Sequence, residues 1–231
     1  MFTKITLENF RSFDHIELDL TEKGNTAKHL AILYGENGAG KSNLMSAFVL
    51  LPELTRTMDA RAAYERILAQ GAIFQDENME KEMREHIRQR LRDMSAIIKD
   101  YQMADCENPI IAEYEFNIDG NNGCYRVEFG QDEILHERLE FVLNRRRGLY
   151  FDCSATGINI NDSIIEKEQG KEFLADVKEM AKRYWGKHSL LAILIYEMKD
   201  KSNSFGRDNI TENFNAVLNE FRNLSCTVSM G

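Results

Sequence analysis

The sequence has few of the features that mark membrane, secreted and disulfide-linked proteins. Its 231 residues contain two prolines and four cysteines, and no two cysteines form a C-x-x-C pair. The longest uninterrupted apolar run is Leu190–Tyr196, far below the ~18 residues that a membrane helix needs. No basic segment followed by an apolar one opens the chain. We therefore expect no membrane partner, and free thiols in a cytoplasmic protein rather than a disulfide framework or a zinc site.

Positive charge is also scarce. The chain has 29 Lys and Arg against 38 Asp and Glu, a formal net charge of −9. This balance argues against a protein that binds nucleic acid over its whole surface, although a local basic patch stays possible. The compact basic cluster is the turn Arg145–Arg147 with Arg138 nearby. A solvated hairpin turn and a contact with a phosphate backbone are both open for it.

Period-two alternation of apolar residues predicts two groups of antiparallel strands. Residues 1–20 read as a hairpin whose turn is Asn9–Asp14, and residues 110–153 read as a meander of about four strands. Leu30–Tyr34 is a short continuous apolar run, which predicts a buried strand. These strands precede or follow helical segments, so the chain has the mixed character of an α/β (α+β) protein.

Helical spacing of apolar residues predicts helices over 43–51, 53–70, 79–101, 165–185, 188–199 and 210–223. The third carries one apolar stripe, formed by Met79, Met83, Ile87, Leu91, Met94, Ile98 and Tyr101. A helix packed against its own domain is the first interpretation of that stripe, and a partner-binding helix is the alternative.

One motif carries recognisable chemistry. Residues 35–42 match G-x-x-x-x-G-K-[ST] in full, between the predicted strand and a helix-prone segment. Glycines let the backbone wrap closely around phosphate oxygens, and consecutive N–H groups at a helix N-terminus form an anion nest. Lys41 then supplies a cation to the β- and γ-phosphates, and the Ser42 hydroxyl supplies an oxygen ligand to Mg²⁺. The predicted ATP phosphate-binding residues are Gly35, Glu36, Asn37, Gly38, Ala39, Gly40, Lys41, Ser42 and Asn43.

The stretches ITLENFRSFDHIELDL and ILYGENGAGKSNLMSAF resemble the ABC-type ATPases of the RecF, SMC and OLD branch. They resemble most the AAA-labelled prokaryotic ATP-binding proteins of phage-defence and restriction-linked operons. The matching motifs are the turn Asn9–Phe13 and the loop Gly35–Asn43. The resemblance implies the N-terminal part of a P-loop ABC-type head, in which Arg11 and Ser12 lie beside the nucleotide near its base and α-phosphate. A solvent-exposed arginine in a hairpin turn is the alternative for Arg11.

Complete members of that branch also carry a Q-loop, an LSxG-like signature, a Walker B strand ending in Asp-Glu, and a switch histidine. Leu190–Glu197 is an apolar run ending in an acid, but Tyr196 stands where Walker B needs aspartate, which favours a buried helix. Gln75 and the segment Val228–Gly231 match a Q-loop glutamine and a signature only loosely. No catalytic residue is therefore predicted, and the chain alone is expected to be deficient in hydrolysis.

The resemblance implies an ATP- and Mg²⁺-dependent switch that forms a homodimer on binding nucleotide and drives a DNA transaction or a nuclease domain or partner, in anti-phage defence or DNA repair. It also implies four parts: the hairpin, phosphate loop and first helix (1–51), a helical insertion (52–108), an antiparallel meander (109–153) and a helical segment (154–231). A nucleotide-binding sensory or scaffold module without hydrolysis is the alternative. A transporter ATPase and a small-molecule kinase fit less well, since neither needs the hairpin before the loop.

Overall fold

A hairpin begins the fold, as the alternation of apolar residues predicts. The computed structural model describes residues 1–22, 26–71, 92–143, 145–166, 168, 170–200 and 209–224. Strands β1 (Phe2–Phe10) and β2 (Phe13–Asp19) pair in antiparallel register from Lys4 opposite Asp19 to Phe10 opposite Phe13. The two-residue turn between them, Arg11 and Ser12, stays close to the first helix, α1 (Lys41–Leu54).

The predicted meander is confirmed, and the sheet is larger than expected. Its four strands are β3 (Ile110–Ile118), β4 (Asn121–Phe129), β5 (Ile134–Leu143) and β6 (Arg146–Ser154), and a fifth strand that the periodicity missed, β7 (Gly157–Ile160), follows. Strand β1 pairs with β3, so hairpin and meander form one antiparallel seven-stranded sheet of order β2-β1-β3-β4-β5-β6-β7. A four-residue strand is too short to show a clear period of two.

Helices cover one face of this sheet. After α1 come α2 (Thr57–Gly71), α3 (Met94–Tyr101), α4 (Gly170–Tyr184), α5 (Leu190–Asp200) and α6 (Glu212–Arg222), with a short 3₁₀ turn at Asp162–Ile164. Phe221 of α6 packs on the rings of Phe2, Phe116 and Tyr125. Tyr114 of β3 donates a hydrogen bond to the Ala47 carbonyl of α1 at 2.7 Å. The first helix is thereby fixed to the centre of the sheet.

The other face of the sheet carries charged side chains in pairs. Lys4 contacts Glu17, Arg126 contacts Glu113, and Arg147 contacts Glu140. Alternation of buried and partly exposed positions along β3 and β4 matches an antiparallel sheet with one solvated face. None of the helices within the described ranges is long and apolar enough to cross a membrane.

Two secondary-structure predictions are wrong in part. Leu30–Tyr34 forms no strand: Leu30, Ile32 and Tyr34 are 75%, 71% and 89% exposed. No neighbouring strand pairs with the segment among the described residues, and an unpaired apolar run has nothing to bury it. The single helix predicted over 79–101 is interrupted, because Asp93 is the N-cap of α3 and accepts a hydrogen bond from the Ala96 N–H. Residues 79–91 lie outside the described residues.

Candidate functional site

The loop Gly35–Gly40 enters α1 with the backbone that the motif requires. Gly38 and Gly40 both have φ near +87°, a left-handed conformation that side chains disfavour. Gly40 is also the N-cap residue, and no side chain caps the helix there. The first N–H groups of α1 therefore lack intrahelical partners and form, with the positive end of the helix dipole, a site for an anion.

Lys41 folds back across this loop. Its Nζ donates to the carbonyls of Gly35 and Glu36 at 2.8 and 2.6 Å. Residues 35–39 and the Ser42 side chain are exposed. The geometry combines a cation, free backbone donors and an exposed hydroxyl within one turn, which is the set of groups that an oligophosphate chelated to a divalent cation requires.

The turn of the hairpin lies directly against the start of α1. Asn43 Nδ2 donates to Ser12 Oγ at 2.8 Å. A Cβ atom at Gly40 would stand 2.7 Å from the ring of Phe13 and 3.4 Å from Ser12 Oγ. The absence of a side chain at Gly40 thus serves both the backbone conformation and the close approach of the turn. The structure brings Ser12, Phe13, Gly40 and Asn43 together, although they are distant in sequence.

Arg11 does not match the solvent-exposed alternative. It is half-buried and has φ near +52°. Its backbone N–H donates to the Tyr101 carbonyl at 2.8 Å. Its Cζ lies 5.0 Å from the centre of the Tyr101 ring. Its Nε is buried and has no hydrogen-bond partner among the described residues. The Tyr101 ring holds the Arg11 guanidinium, and this cation–π contact uses none of the guanidinium N–H donors.

Tyr101 connects this turn to the far end of α1. Its hydroxyl donates to Glu53 Oε2 at 2.8 Å, and Arg92 forms an ion pair with the same carboxylate. Burial raises the pKa of Glu53, and burial together with the Glu53 charge raises the pKa of Tyr101. Phe10 stacks on the Tyr101 ring at 5.2 Å between centroids. In the sequence, Tyr101 belongs only to an apolar stripe, and no local pattern indicates Glu53 or Arg92, whose pairing spans 39 residues.

A second polar cluster lies at the start of α5, in the core. Glu137 of β5 is fully buried and accepts hydrogen bonds from Tyr125 Oη, Trp185 Nε1 and the Leu190 N–H at 3.0, 3.0 and 2.7 Å. Burial raises the pKa of Glu137 to about 7 in spite of these donors. Nothing in the spacing of the sequence indicated this cluster, since Glu137 stands at an ordinary position of a strand.

Ser189, which follows the buried His188, connects the same cluster to α1. Ser189 Oγ donates to the Leu54 carbonyl at 2.8 Å and accepts from the Ala192 N–H at 3.0 Å. Burial, with Arg61 as a second cause, lowers the pKa of His188 to about 4. Its Nδ1 is buried without a hydrogen-bond partner in the described ranges. His188 is therefore neutral near pH 7, and the cluster joins the sheet, α5 and the end of α1.

Among the described residues, the hydrolytic motifs of a complete ATPase do not come together. Leu190–Tyr196 lies in helix α5, so the Walker B alternative is wrong and the buried helix is confirmed. Within the described residues, no three His, Cys, Asp or Glu side chains form a group that could hold a metal ion. Gln75 and Val228–Gly231 lie outside those residues.

The basic turn is paired with acids. Arg147 contacts Glu140, while Arg138 contacts both Glu140 and Asp152. Arg145 adopts φ near +68° in the turn itself. Pairing of this kind on the open face of a sheet matches the solvated hairpin better than a patch prepared for a phosphate backbone.

Comparison with known proteins identifies the family. A model of the AAA ATPase domain matches residues 1–224. A DNA replication and repair protein RecF from Bacillus mycoides is 41% identical over 49 residues, which are 21% of this chain and 12% of that protein. The chain thus covers only a small part of the length of that relative. Since the family match spans nearly the whole described fold, including the hairpin, the phosphate loop and the sheet, the chain belongs to the AAA ATPase domain family.

Proposed function

We propose that this domain binds ATP with Mg²⁺ at the loop Gly35–Asn43 and serves as the nucleotide-binding part of an ATP-driven switch. The observation that carries the proposal is the loop itself: two glycines in left-handed conformation, an uncapped helix N-terminus and the Lys41 ammonium meet in one exposed turn. Lys41 would leave the carbonyls of its own loop for the β- and γ-phosphates, which are stronger acceptors.

The residues present fit Mg²⁺ in part. The Ser42 hydroxyl is exposed in the first turn of α1 and offers one hard oxygen ligand, while the phosphates and water would supply others. Within the described ranges, no three His, Cys, Asp or Glu side chains form a group that could hold a metal ion, so no further protein ligand for Mg²⁺ is identified there. When bound, the ion would neutralise phosphate charge, and this chain would contribute Ser42, the loop N–H groups and Lys41.

We further propose that the domain acts within a larger assembly, with parts 1–51, 52–108, 109–153 and 154–231 forming one side of an ABC-type head. Support comes from the exposed apolar segment Leu30–Tyr34, directly before the phosphate loop. A strand supplied from beyond the described residues would cover it and align the loop. The same proposal includes homodimerisation that depends on nucleotide and a nuclease domain or partner. It also includes DNA as the target, in repair or anti-phage defence. The RecF similarity favours the DNA connection.

A second candidate is a nucleotide-binding sensory or scaffold module without hydrolysis. The described residues favour it in one respect, because they contain no group of three His, Cys, Asp or Glu side chains that could hold a metal ion. Cys106, Cys124 and Cys153 are free thiols, which suits a cytoplasmic location for either candidate.

Substitution of Lys41 by alanine tests the binding proposal. We expect at least a tenfold loss of MgATP affinity, since a charge-assisted contact to phosphate contributes about 1.5–3 kcal/mol. Isothermal titration of the purified chain measures it. Lys171→Ala is the matched control. It removes an exposed lysine of α4 that forms an ion pair with Glu168. Equal affinity in the wild type and the Lys41 variant would refute the role of the loop.

Hydrolysis by residues 1–231 alone is expected to be slow or absent. Phosphate release, measured under conditions where MgATP binding is saturated, should stay near the buffer rate, because the sequence pattern predicts no Walker B strand ending in Asp-Glu to hold Mg²⁺ and orient water. Turnover at ordinary ATPase rates that disappears in Lys41→Ala would contradict this expectation and the sensory alternative together.

A further inference from the structure

The strongest unexplained feature near the loop is the environment of Arg11. Its guanidinium packs on the Tyr101 ring, its Nε is buried without an acceptor among the described residues, and its backbone is left-handed. A buried donor without an acceptor and a non-glycine residue at positive φ are both unfavourable, and such features concentrate at functional sites.

From this geometry we infer that Tyr101 is a positioning residue for nucleotide binding, acting through Arg11. The ring face holds the guanidinium without using its Nη donors, so these stay available for a phosphate oxygen, whereas Nε is buried. A free arginine side chain would lose its rotamer freedom on binding, and a guanidinium already held on a ring loses less. The inference deepens the proposed function and rests on it.

Tyr101 is itself held in place by the helix that begins at the phosphate loop. Its hydroxyl donates to Glu53 near the end of α1, while Asn43 in the first turn of α1 binds Ser12. Ten residues separate Asn43 from Glu53, about 15 Å along the helix. The Arg11–Ser12 turn is thus tied to both ends of one rigid element, directly through Ser12 and through Tyr101.

The test is a double-mutant cycle on MgATP affinity in the full chain. Tyr101→Leu removes the ring and should weaken binding about five- to tenfold, as should Arg11→Ala. If Tyr101 acts through Arg11, adding Tyr101→Leu to Arg11→Ala has no further effect. Tyr101→Phe keeps the ring and its stacking on Phe10, and should restore affinity to within about twofold of the wild type.

Tyr184→Leu is the matched control, because Arg61 lies over the Tyr184 ring at 4.0 Å in the same kind of contact on another helix. It should leave MgATP affinity unchanged, and thermal unfolding of each variant checks that the fold persists. An effect of Tyr101→Leu that persists undiminished in the Arg11→Ala background, or an increase in affinity, would overturn the inference.

The same titrations separate this inference from the function on which it rests. If Lys41→Ala abolishes binding while Arg11→Ala and Tyr101→Leu bind as the wild type does, the phosphate loop stands and the positioning role is wrong. If Lys41→Ala has no effect, the proposed function itself fails.

Discussion

Gly40→Ala is expected to weaken MgATP binding about a hundredfold, whereas Gly38→Ala is expected to weaken it about tenfold. Both glycines have φ near +87°, where an L-residue is disfavoured by about 1–2 kcal/mol. An added Cβ meets nothing within 4 Å at Gly38, but at Gly40 it would lie 2.7 and 2.9 Å from two atoms of the Phe13 ring. Such overlap adds about 1–3 kcal/mol and pushes the turn away from α1.

A third variant identifies the source of the difference. Phe13→Ala removes the overlapping ring. Introduced into the Phe13→Ala background, Gly40→Ala should therefore weaken MgATP binding only about tenfold, as Gly38→Ala does in the wild type. Calorimetric titration with MgATP and thermal unfolding of all four variants provide the comparison. Equal losses of MgATP affinity in Gly38→Ala and Gly40→Ala would show that the contact with Phe13 does not contribute to the effect.

Two buried groups are expected to give this domain opposing dependences of stability on pH. Burial raises the pKa of Glu137 to about 7, so its contribution to stability is fully present below its unfolded value near 4.5 and is lost as pH rises through 7. Burial lowers the pKa of His188 to about 4, so its contribution is present above 6.5 and is lost as pH falls toward 4. Between pH 5 and 7.5 each amounts to about 2 kcal/mol, with opposite sign.

Single substitutions separate the two contributions. In Glu137→Gln, where only the His188 contribution remains, the free energy of unfolding should rise between pH 5 and 7.5. In His188→Asn, where only the Glu137 contribution remains, it should fall over the same interval. The wild type should change little. Tyr125 and Cys153 face Glu137, but burial raises the pKa of both far enough that they stay neutral in this interval. Urea unfolding at several pH values measures the slopes.

Glu137→Gln should also lower stability by about 1–3 kcal/mol at every pH in that range. The amide places an NH2 donor where one carboxyl oxygen of Glu137 stands, so a buried donor among Tyr125, Trp185 and Leu190 meets another donor and loses its acceptor. Parallel pH profiles for the wild type and both variants would contradict the assignment of these two groups.

Features that depend on neighbours in sequence were predictable. The hairpin, the four meander strands and the helices α1, α4, α5 and α6 follow from local periodicity, and their existence is confirmed. The loop motif lies within residues 1–224, which match the AAA ATPase domain. Boundaries were less accurate: the predicted break before residue 53 falls instead between α1 and α2 at Thr55 and Arg56, because Pro52 is accommodated inside the last turn of α1.

Features that depend on distant partners were not predictable. Leu30–Tyr34 has the composition of a buried strand, yet burial requires a neighbour, and no described strand pairs with it. Arg11 was expected beside the nucleotide or in solvent, and it packs on Tyr101, a residue 90 positions away in a helix that the sequence presented only as amphipathic. Neither the exposure of Leu30–Tyr34 nor the contact between Arg11 and Tyr101 can be inferred from the periodicity of apolar residues.

The sequence by itself determined the chemistry of this protein: a glycine-rich loop with Lys41 and Ser42, preceded by a hairpin and followed by a helix, because these properties depend on residue types at short, fixed spacing. Only the tertiary structure decided what surrounds the loop. Tyr101, Glu53 and Glu137 receive their hydrogen-bond partners from chain segments tens of residues apart, and burial together with the distant Arg61 lowers the pKa of His188. The packing that joins such segments is a property of the whole fold.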